Sequence, residues 1–141
     1  MVQHSILVID DDAEIRKALQ LMLKKAGYRP LLAEGGQAAI ALMEQDEQAE
    51  GVAAILCDLE MPGMDGATVI AHFNRHHPMI PLVVLSGAAP AQFLDAIGQQ
   101  SVGDWIRKPA TSETVLEKVR GAVHLFELRK VGHGSKDRPS T

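Results

Sequence analysis

Polar residues able to bind a metal ion or carry phosphate stand directly after four apolar runs of the sequence. Asp10 and Asp11 follow SILVI, Asp58 follows VAAILC, Ser86 ends LVVLS, and Lys108 follows DWIR. Three converging carboxylates repel one another unless a divalent cation neutralises them, and a hard, oxygen-liganded ion such as Mg²⁺ is suited to that role. An Asp carboxylate beside Mg²⁺, a hydroxyl and an ammonium group can attack a phosphoryl group. If the fold brings these residues together, they predict phosphoryl transfer.

The stretch VAAILCDLEMPGMDG, from Val52 to Gly66, shows how the fold would present one of these carboxylates. Its apolar run, Val52 to Cys57, has the length and the flanking residues of a buried parallel strand. A proline and two glycines then force a loop directly after Asp58. The pattern therefore predicts that Asp58 emerges from the core at a strand end. By itself, the pattern is equally typical of a solvated strand terminus.

Short apolar runs alternate with helical patterns along the whole chain. We predict strands at Ser5–Ile9, Pro30–Ala33, Val52–Cys57, Leu82–Ser86 and around Trp105–Ile106. The helical patterns cover 13–26, about 36–43, 67–74 with Asp65 as N-cap, 91–97 and about 112–128. Five alternations predict an α/β fold with a parallel sheet covered by helices on both faces. Ligands then bind beyond the carboxyl ends of the strands.

Length, charge and cysteine content narrow the class of protein. A chain of 141 residues with 46% hydrophobic content suits one domain, and its net charge of -4 disfavours direct binding of nucleic acid. The longest apolar runs are too short to cross a membrane, and the N-terminus lacks the pattern of a secretory signal. The single cysteine, Cys57, fits a reducing compartment. We therefore expect a cytoplasmic protein without a membrane partner.

Four motifs in order carry a family resemblance: ILVIDDDAEIR, LCDLEMPGMDG, VVLSG and DWIRKP. Together the matching residues cover essentially all of 4–130, and the chain resembles a bacterial two-component response-regulator receiver domain of the chemotaxis-regulator type. The resemblance implies a flavodoxin-like, doubly wound five-stranded sheet in the order 2-1-3-4-5. We expect residues 1–130 to form this domain and the polar residues 131–141 to be a disordered tail.

The resemblance also implies a role for each acidic residue of the predicted site. Asp58 is the phosphoacceptor, and with Asp10, Asp11 and the backbone carbonyl of Glu60 it forms the Mg²⁺ site. Asp11 is a direct ligand, and Asp10 acts through bound water. Asp12, the third residue of its run, we instead interpret as a solvated charge at the first helix N-terminus.

The remaining implied roles concern the fourth and fifth strands. Ser86 resembles the hydroxyl residue that hydrogen-bonds the phosphoryl group, and Lys108 the lysine that stabilises its charge. The resemblance suggests a cis bond between Lys108 and Pro109. Trp105 occupies the aromatic switch position, where Tyr or Phe is commoner, and it would act with Ser86.

His72 and His76 form an i, i+4 pair. A third ligand is not evident in the sequence, so we interpret them as surface histidines and not as a transition-metal site.

Two classes of function are compatible with these residues. The first is a signalling module, not an enzyme beyond its own phosphorylation and dephosphorylation. It would take phosphate from a histidine kinase or phosphotransfer protein and act on a downstream protein or an attached output domain. The second is a Mg²⁺-dependent Asp-nucleophile phosphohydrolase. Such hydrolases typically place the nucleophile after the first strand in a DxDx(T/V) pattern, which this chain lacks, so the module is favoured.

Two arrangements of the module stay open. The polar tail favours a regulator that stands alone, whereas an extended last helix would suit a receiver that is part of a larger regulator. A phosphorylation-dependent homodimer is a further expectation for its partners.

Overall fold

The computed structural model describes residues 3–45, 47–61 and 66–137 of the chain, which form an α/β fold. The strands are β1 (Ser5–Ile9), β2 (Arg29–Ala33), β3 (Val52–Asp58), β4 (Leu82–Ser86) and β5 (Asp104–Arg107). The helices are α1 (Ala13–Lys25), α2 (Gly36–Gln45), α3 (Gly66–His76), α4 (Pro90–Ile97) and α5 (Ser112–Asp137), with a short 3₁₀ helix (Glu47–Gly51) before β3.

The strands form one five-stranded parallel sheet in the order β2-β1-β3-β4-β5. Parallel neighbours need a crossover connection, and each crossover here contains a helix. All the carboxyl ends therefore lie at one edge of the sheet. In the strand register, Asp58 is opposite Leu85 and Ser86 is opposite Arg107. The predicted fold class and strand order are confirmed.

Two apolar clusters pack against the two faces of the sheet. On one face, α2, α3 and α4 bury side chains such as Met43, Phe73 and Phe93. On the other, α1 and α5 bury side chains such as Leu23 and Val119. The central strand β3 is buried over its full length, which explains why it reads as a continuous apolar run and not as an alternating one.

The structure extends some predicted elements. β3 includes Asp58 itself, and the connection expected at 44–51 contains the 3₁₀ helix. The largest difference is at α5, which continues past its expected end at about 128 to Asp137. A helix anchored on the sheet by Val119 and Val123 gains one backbone hydrogen bond for each added residue, so it can continue into polar sequence. The rest of the expected tail, 138–141, and the expected N-cap Asp65 lie outside the described residues.

Candidate functional site

Asp10 is fixed immediately beyond the end of β1. Its side chain is buried and accepts a 2.9 Å hydrogen bond from the backbone N–H of Asp12. Its own backbone N–H donates to the Ala33 carbonyl at 3.2 Å, and Arg16 donates to the Asp10 carbonyl at 2.7 Å. Asp11 follows and is exposed. The chain therefore presents one rigid buried carboxylate and one open to solvent.

Asp12 caps helix α1. Its side chain accepts hydrogen bonds from the backbone N–H groups of Glu14 at 2.9 Å and Ile15 at 3.3 Å. These are donors that a helix start leaves without intrahelical partners, and the helix N-terminus also favours negative charge. The capping role agrees with the interpretation of Asp12 as a residue outside the predicted metal site.

Asp58 ends β3 and is only 3% exposed. Its Oδ1 accepts a 2.7 Å hydrogen bond from Lys108 Nζ and a 3.1 Å bond from the backbone N–H of Glu60. Main-chain bonds hold the segment that follows: Leu59 N–H donates to the Leu85 carbonyl, and Gly66 N–H to the Leu59 carbonyl. A Cβ at Gly66 would lie 2.4 Å from the Leu59 carbonyl oxygen, so this close approach requires glycine.

The three predicted acidic ligands come together. Asp10, Asp11 and Asp58 each offer a carboxylate oxygen, and these oxygens lie within 4.8 Å of one another. Burial raises the pKa of both Asp10 and Asp58, and in each case nearby negative charge adds to the rise. A donor set made only of carboxylate oxygens, open to water at Asp11, fits a hard divalent cation such as Mg²⁺. A bound cation would offset the cost of burying these charges.

Lys108 and Ser86 complete the same edge of the sheet. The Ser86 side chain is fully buried, and its Oγ accepts a 3.0 Å hydrogen bond from the backbone N–H of Ala88. The backbone N–H of Lys108 donates to the Ser86 carbonyl at 2.9 Å, and the peptide bond to Pro109 is cis, as the resemblance suggested. Burial would lower the pKa of Lys108, but its hydrogen bond and attraction to Asp58 outweigh that effect and raise it. The lysine is therefore held as an ammonium group against Asp58.

Trp105 lies on β5, two residues before the strand ends. Its ring stacks on the buried ring of Phe93 from α4. Within the described part of the chain, the buried indole Nε1–H has no hydrogen-bond partner. The ring of the predicted switch residue thus joins β5 to α4.

Glu60 makes a contact that the sequence did not indicate. Its side-chain Oε1 accepts a 2.6 Å hydrogen bond from the backbone N–H of Gly87, 27 residues away in the loop after β4. Arg16, bonded to the carbonyl of Asp10, is a second such residue. The sequence contains no motif or periodicity that would reveal either contact. The predicted role of the Glu60 carbonyl as a metal ligand stays a prediction.

Cys57 directly precedes Asp58 and is fully buried on the face of the sheet covered by α2, α3 and α4. Its Sγ lies 3.4 Å from the carbonyl oxygen of Asp58. Burial, with a smaller contribution from the charges of Asp58 and Asp10, raises the pKa of the Cys57 thiol to about 12.

The histidine pair on α3 does not extend to a metal site. The rings of His72 and His76 lie 4.4 Å apart. Among residues 3–45, 47–61 and 66–137, however, the acidic trio is the one group of at least three suitable side chains spaced for a metal ion. Over the same residues, none of the helices has the length and hydropathy needed to span a membrane.

Comparisons with known proteins point in one direction. The family profile for the response regulator receiver domain matches residues 6–120. The chain is 26% identical over 127 residues to the DNA-binding transcriptional regulator NtrC of Salmonella typhimurium, covering 90% of this chain and 26% of that protein. It is 28% identical over 120 residues to the CAI-1 autoinducer sensor kinase/phosphatase CqsS of Vibrio cholerae, covering 83% of this chain and 17% of that protein.

A solved structure agrees with the sequence relatives at the level of the fold. A response regulator receiver domain protein from Clostridium thermocellum superposes with a TM-score of 0.80 at 19% identity, covering 89% of this chain and 98% of that chain. By contrast, the chain spans about a quarter or less of the length of the two sequence relatives.

Proposed function

The chain belongs to the response regulator receiver domain family, and from this membership we propose that Asp58 is the residue that accepts the phosphoryl group. The observation that supports this proposal is the position of Asp58. It is the one carboxylate of the acidic trio that also receives a hydrogen bond from Lys108 among the described residues. The Asp58 carboxylate therefore lies beside two further carboxylates and the ammonium group of Lys108 at one edge of the sheet.

The proposed reaction takes phosphate from a phosphohistidine of a kinase or phosphotransfer protein. A carboxylate oxygen of Asp58 forms a bond to phosphorus while the phosphorus–nitrogen bond of the donor breaks. The electron pair of that bond stays on the imidazole nitrogen. The Lys108 ammonium, already 2.7 Å from Asp58, opposes the negative charge on the transferred group. In this proposal the hydroxyl of Ser86, at the end of β4, donates a hydrogen bond to the group once it is attached.

The residues that would hold Mg²⁺ are Asp10, Asp11, Asp58 and the backbone carbonyl of Glu60. When bound, the ion supplies positive charge to the phosphoryl oxygens and lowers the repulsion between the carboxylates. The chain's own contribution is rigidity, because hydrogen bonds from Asp12 and Arg16 fix Asp10 on both sides.

We propose that phosphorylation alters a surface of this domain to which an output domain or another protein binds. The relative NtrC is named as a DNA-binding transcriptional regulator, which favours an attached output domain for this receiver. The other proposed partners are a separate downstream protein and a second copy of the chain in a phosphorylation-dependent homodimer. The protein would catalyse only its own phosphorylation and dephosphorylation. A cytoplasmic location, expected from Cys57, stays a proposal.

Mass spectrometry after incubation with acetyl phosphate and Mg²⁺ tests the proposal. One phosphoryl group should be added to the parent protein and none to Asp58→Asn, because an amide is a far weaker nucleophile than a carboxylate. Unchanged labelling of Asp58→Asn would contradict the assignment. Many turnovers on p-nitrophenyl phosphate by the parent protein would instead favour the phosphohydrolase.

A further inference from the structure

The hydrogen bond between Glu60 and Gly87 joins the two loops that border Asp58. Glu60 belongs to the loop after β3, and its backbone N–H bonds Asp58 Oδ1 at 3.1 Å. Its carboxylate reaches across to the backbone N–H of Gly87, in the loop after β4, at 2.6 Å. One residue therefore contacts the phosphoacceptor through its main chain and the neighbouring loop through its side chain.

The Gly87 N–H is well placed to receive an anion. It directly follows Ser86 at the end of β4, the strand paired with β3 at Asp58. The next amide, that of Ala88, already bonds Ser86 Oγ. A Cβ at position 87 would lie 3.4 Å from Glu60 Oε1, at ordinary contact distance. The donor on this side of the site is thus occupied by a carboxylate of the chain itself.

A phosphoryl group on Asp58 would carry about two negative charges close to Glu60, where the free carboxylate carried one. The exposed Glu60 carboxylate can move into solvent, whereas the Gly87 amide is fixed in the backbone. Like charges repel, and charge-assisted hydrogen bonds to backbone N–H groups are among the stronger ones. A phosphoryl oxygen that accepts a hydrogen bond from the Gly87 N–H would therefore displace the Glu60 carboxylate from it.

We propose that the Glu60 side chain is an internal competitor of the phosphoryl group, holding the Gly87 N–H until phosphorylation of Asp58 displaces it. Glu60 is then a positioning residue that acts through the loop after β4. The inference rests on the proposed function and adds a regulatory element to it: a carboxylate that keeps this loop in its unphosphorylated arrangement.

Substitutions at Glu60 separate competition for the amide from simple charge repulsion. Glu60→Asp keeps the charge but is shorter by one carbon–carbon bond, about 1.5 Å, and loses the contact. Glu60→Gln removes the charge but keeps an acceptor of the same length. Glu34→Gln, an exposed position just after β2 at the same edge of the sheet, is the control for charge alone. Each protein is titrated with beryllofluoride in Mg²⁺, a mimic of the phosphoryl group.

We expect Glu60→Asp to bind beryllofluoride about tenfold more tightly than the parent protein, a change that corresponds to about 1.4 kcal/mol. The Glu34→Gln control should stay within about twofold, because distant exposed charges are screened by salt. Tighter binding by Glu60→Gln with Glu60→Asp unchanged would show that Glu60 acts by charge alone, and would overturn the proposal. So would parent-like affinity in both Glu60 variants.

Amide hydrogen exchange provides a readout of the contact itself. In Glu60→Asp, without beryllofluoride, the Gly87 amide should exchange several-fold faster than in the parent protein, while the Ala88 amide, bonded to Ser86, should not change. Equal exchange at Gly87 in the two proteins would also overturn the proposal.

If Asp58 is labelled by acetyl phosphate while these Glu60 effects are absent, the competitor role alone fails. If Asp58 is not labelled, the proposed function fails and the competitor role fails with it.

Discussion

Phe93 and Trp105 stack with their ring centroids 4.5 Å apart and their planes 9° from parallel. The pair joins α4 to β5, and Trp105 is the one tryptophan of the chain. Its indole N–H is buried without a hydrogen-bond partner among the described residues, and an unpaired buried donor is energetically unfavourable. The ring therefore has one face fixed by stacking and one polar atom that would gain a partner by moving.

Beryllofluoride with Mg²⁺ should change the fluorescence emission of Trp105. If Ser86 turns towards the mimic, it frees space near β5, and the population of Trp105 shifts between two arrangements. Stopped-flow or steady-state emission measures the change, which should be absent in Asp58→Asn. Ser86→Ala should bind the mimic but show a smaller change. Constant emission in the parent protein, with binding confirmed independently, would mean that the stack locks the indole.

Gly66→Ala should destabilise the fold and slow phosphorylation of Asp58. The added Cβ would lie 2.4 Å from the Leu59 carbonyl oxygen, so the backbone beside Asp58 must shift. We expect a loss on the order of 1–3 kcal/mol, as for other overpacked sites. Denaturant unfolding and acetyl phosphate labelling measure the two effects. Gly35→Ala, with nothing within 4 Å of the new Cβ, is the matched control. Equal stability of the two variants would contradict the prediction.

Asp10→Asn should stabilise the protein when Mg²⁺ is removed by a chelator. Burial raises the pKa of Asp10 in the folded state. The stability that this group contributes is therefore present at low pH and is lost as the pH rises through the folded-state pKa. Asparagine keeps the acceptor for the Asp12 N–H but removes the charge. We expect a gain on the order of 1 kcal/mol at pH 7 by chemical denaturation.

Adding Mg²⁺ should reverse the stability advantage of Asp10→Asn over the parent protein. Mg²⁺ should raise the stability of the parent protein by ligand linkage, and should raise that of Asp10→Asn much less. Equal stabilisation of the two proteins by Mg²⁺ would show that Asp10 does not take part in metal binding.

Acidification below about pH 6.5 should destabilise the protein through His72 and His77. Burial, followed by repulsion from neighbouring histidines, lowers the pKa of both groups, although Glu44 partly opposes the shift. Below the unfolded-state pKa of these histidines, the unfolded chain binds more protons than the folded chain. The contribution of His72 and His77 to the free energy of unfolding is therefore full above that pKa and falls as the pH drops through it. The buried carboxylates of Asp10 and Asp58 act in the opposite direction, so the test compares variants with the parent protein.

Unfolding free energies at pH 7.5 and 5.5 measure this effect. The double variant His72→Gln/His77→Gln should lose less stability than the parent protein over this interval. His124→Gln, at an exposed position on α5, should behave like the parent. The prediction is wrong if the double variant and the parent protein lose the same stability.

The fold was predictable because its physical signals are local. Each parallel strand is buried on both faces, so it reads as a short apolar run, and each crossover leaves a helical pattern between two such runs. The convergence of Asp10, Asp11 and Asp58 then follows from topology, since they lie at the same edge of one sheet. Strand order itself required the family resemblance.

Contacts between distant loops were not predictable in the same way. The bond from Gly87 to Glu60 depends on the rotamer of one exposed side chain, which no periodicity encodes. The stacking of Phe93 on Trp105 depends on how α4 sits on the sheet. The polar composition after 130 predicts a tail, whereas α5 continues to Asp137, because a helix anchored on the sheet can propagate into polar sequence.

The buried thiol of Cys57 bears on how hydrogen peroxide and other oxidants would affect this protein. Oxidation proceeds through the thiolate, and burial raises the pKa of the Cys57 thiol far above neutral pH, so the side chain is held as the thiol. The side chain is also closed to solvent, so an oxidant cannot reach the sulfur while the chain is folded. Conversion to a sulfenic acid would require the sheet to open first. Although Cys57 stands directly beside Asp58, we therefore expect it not to react with oxidants while the protein is folded.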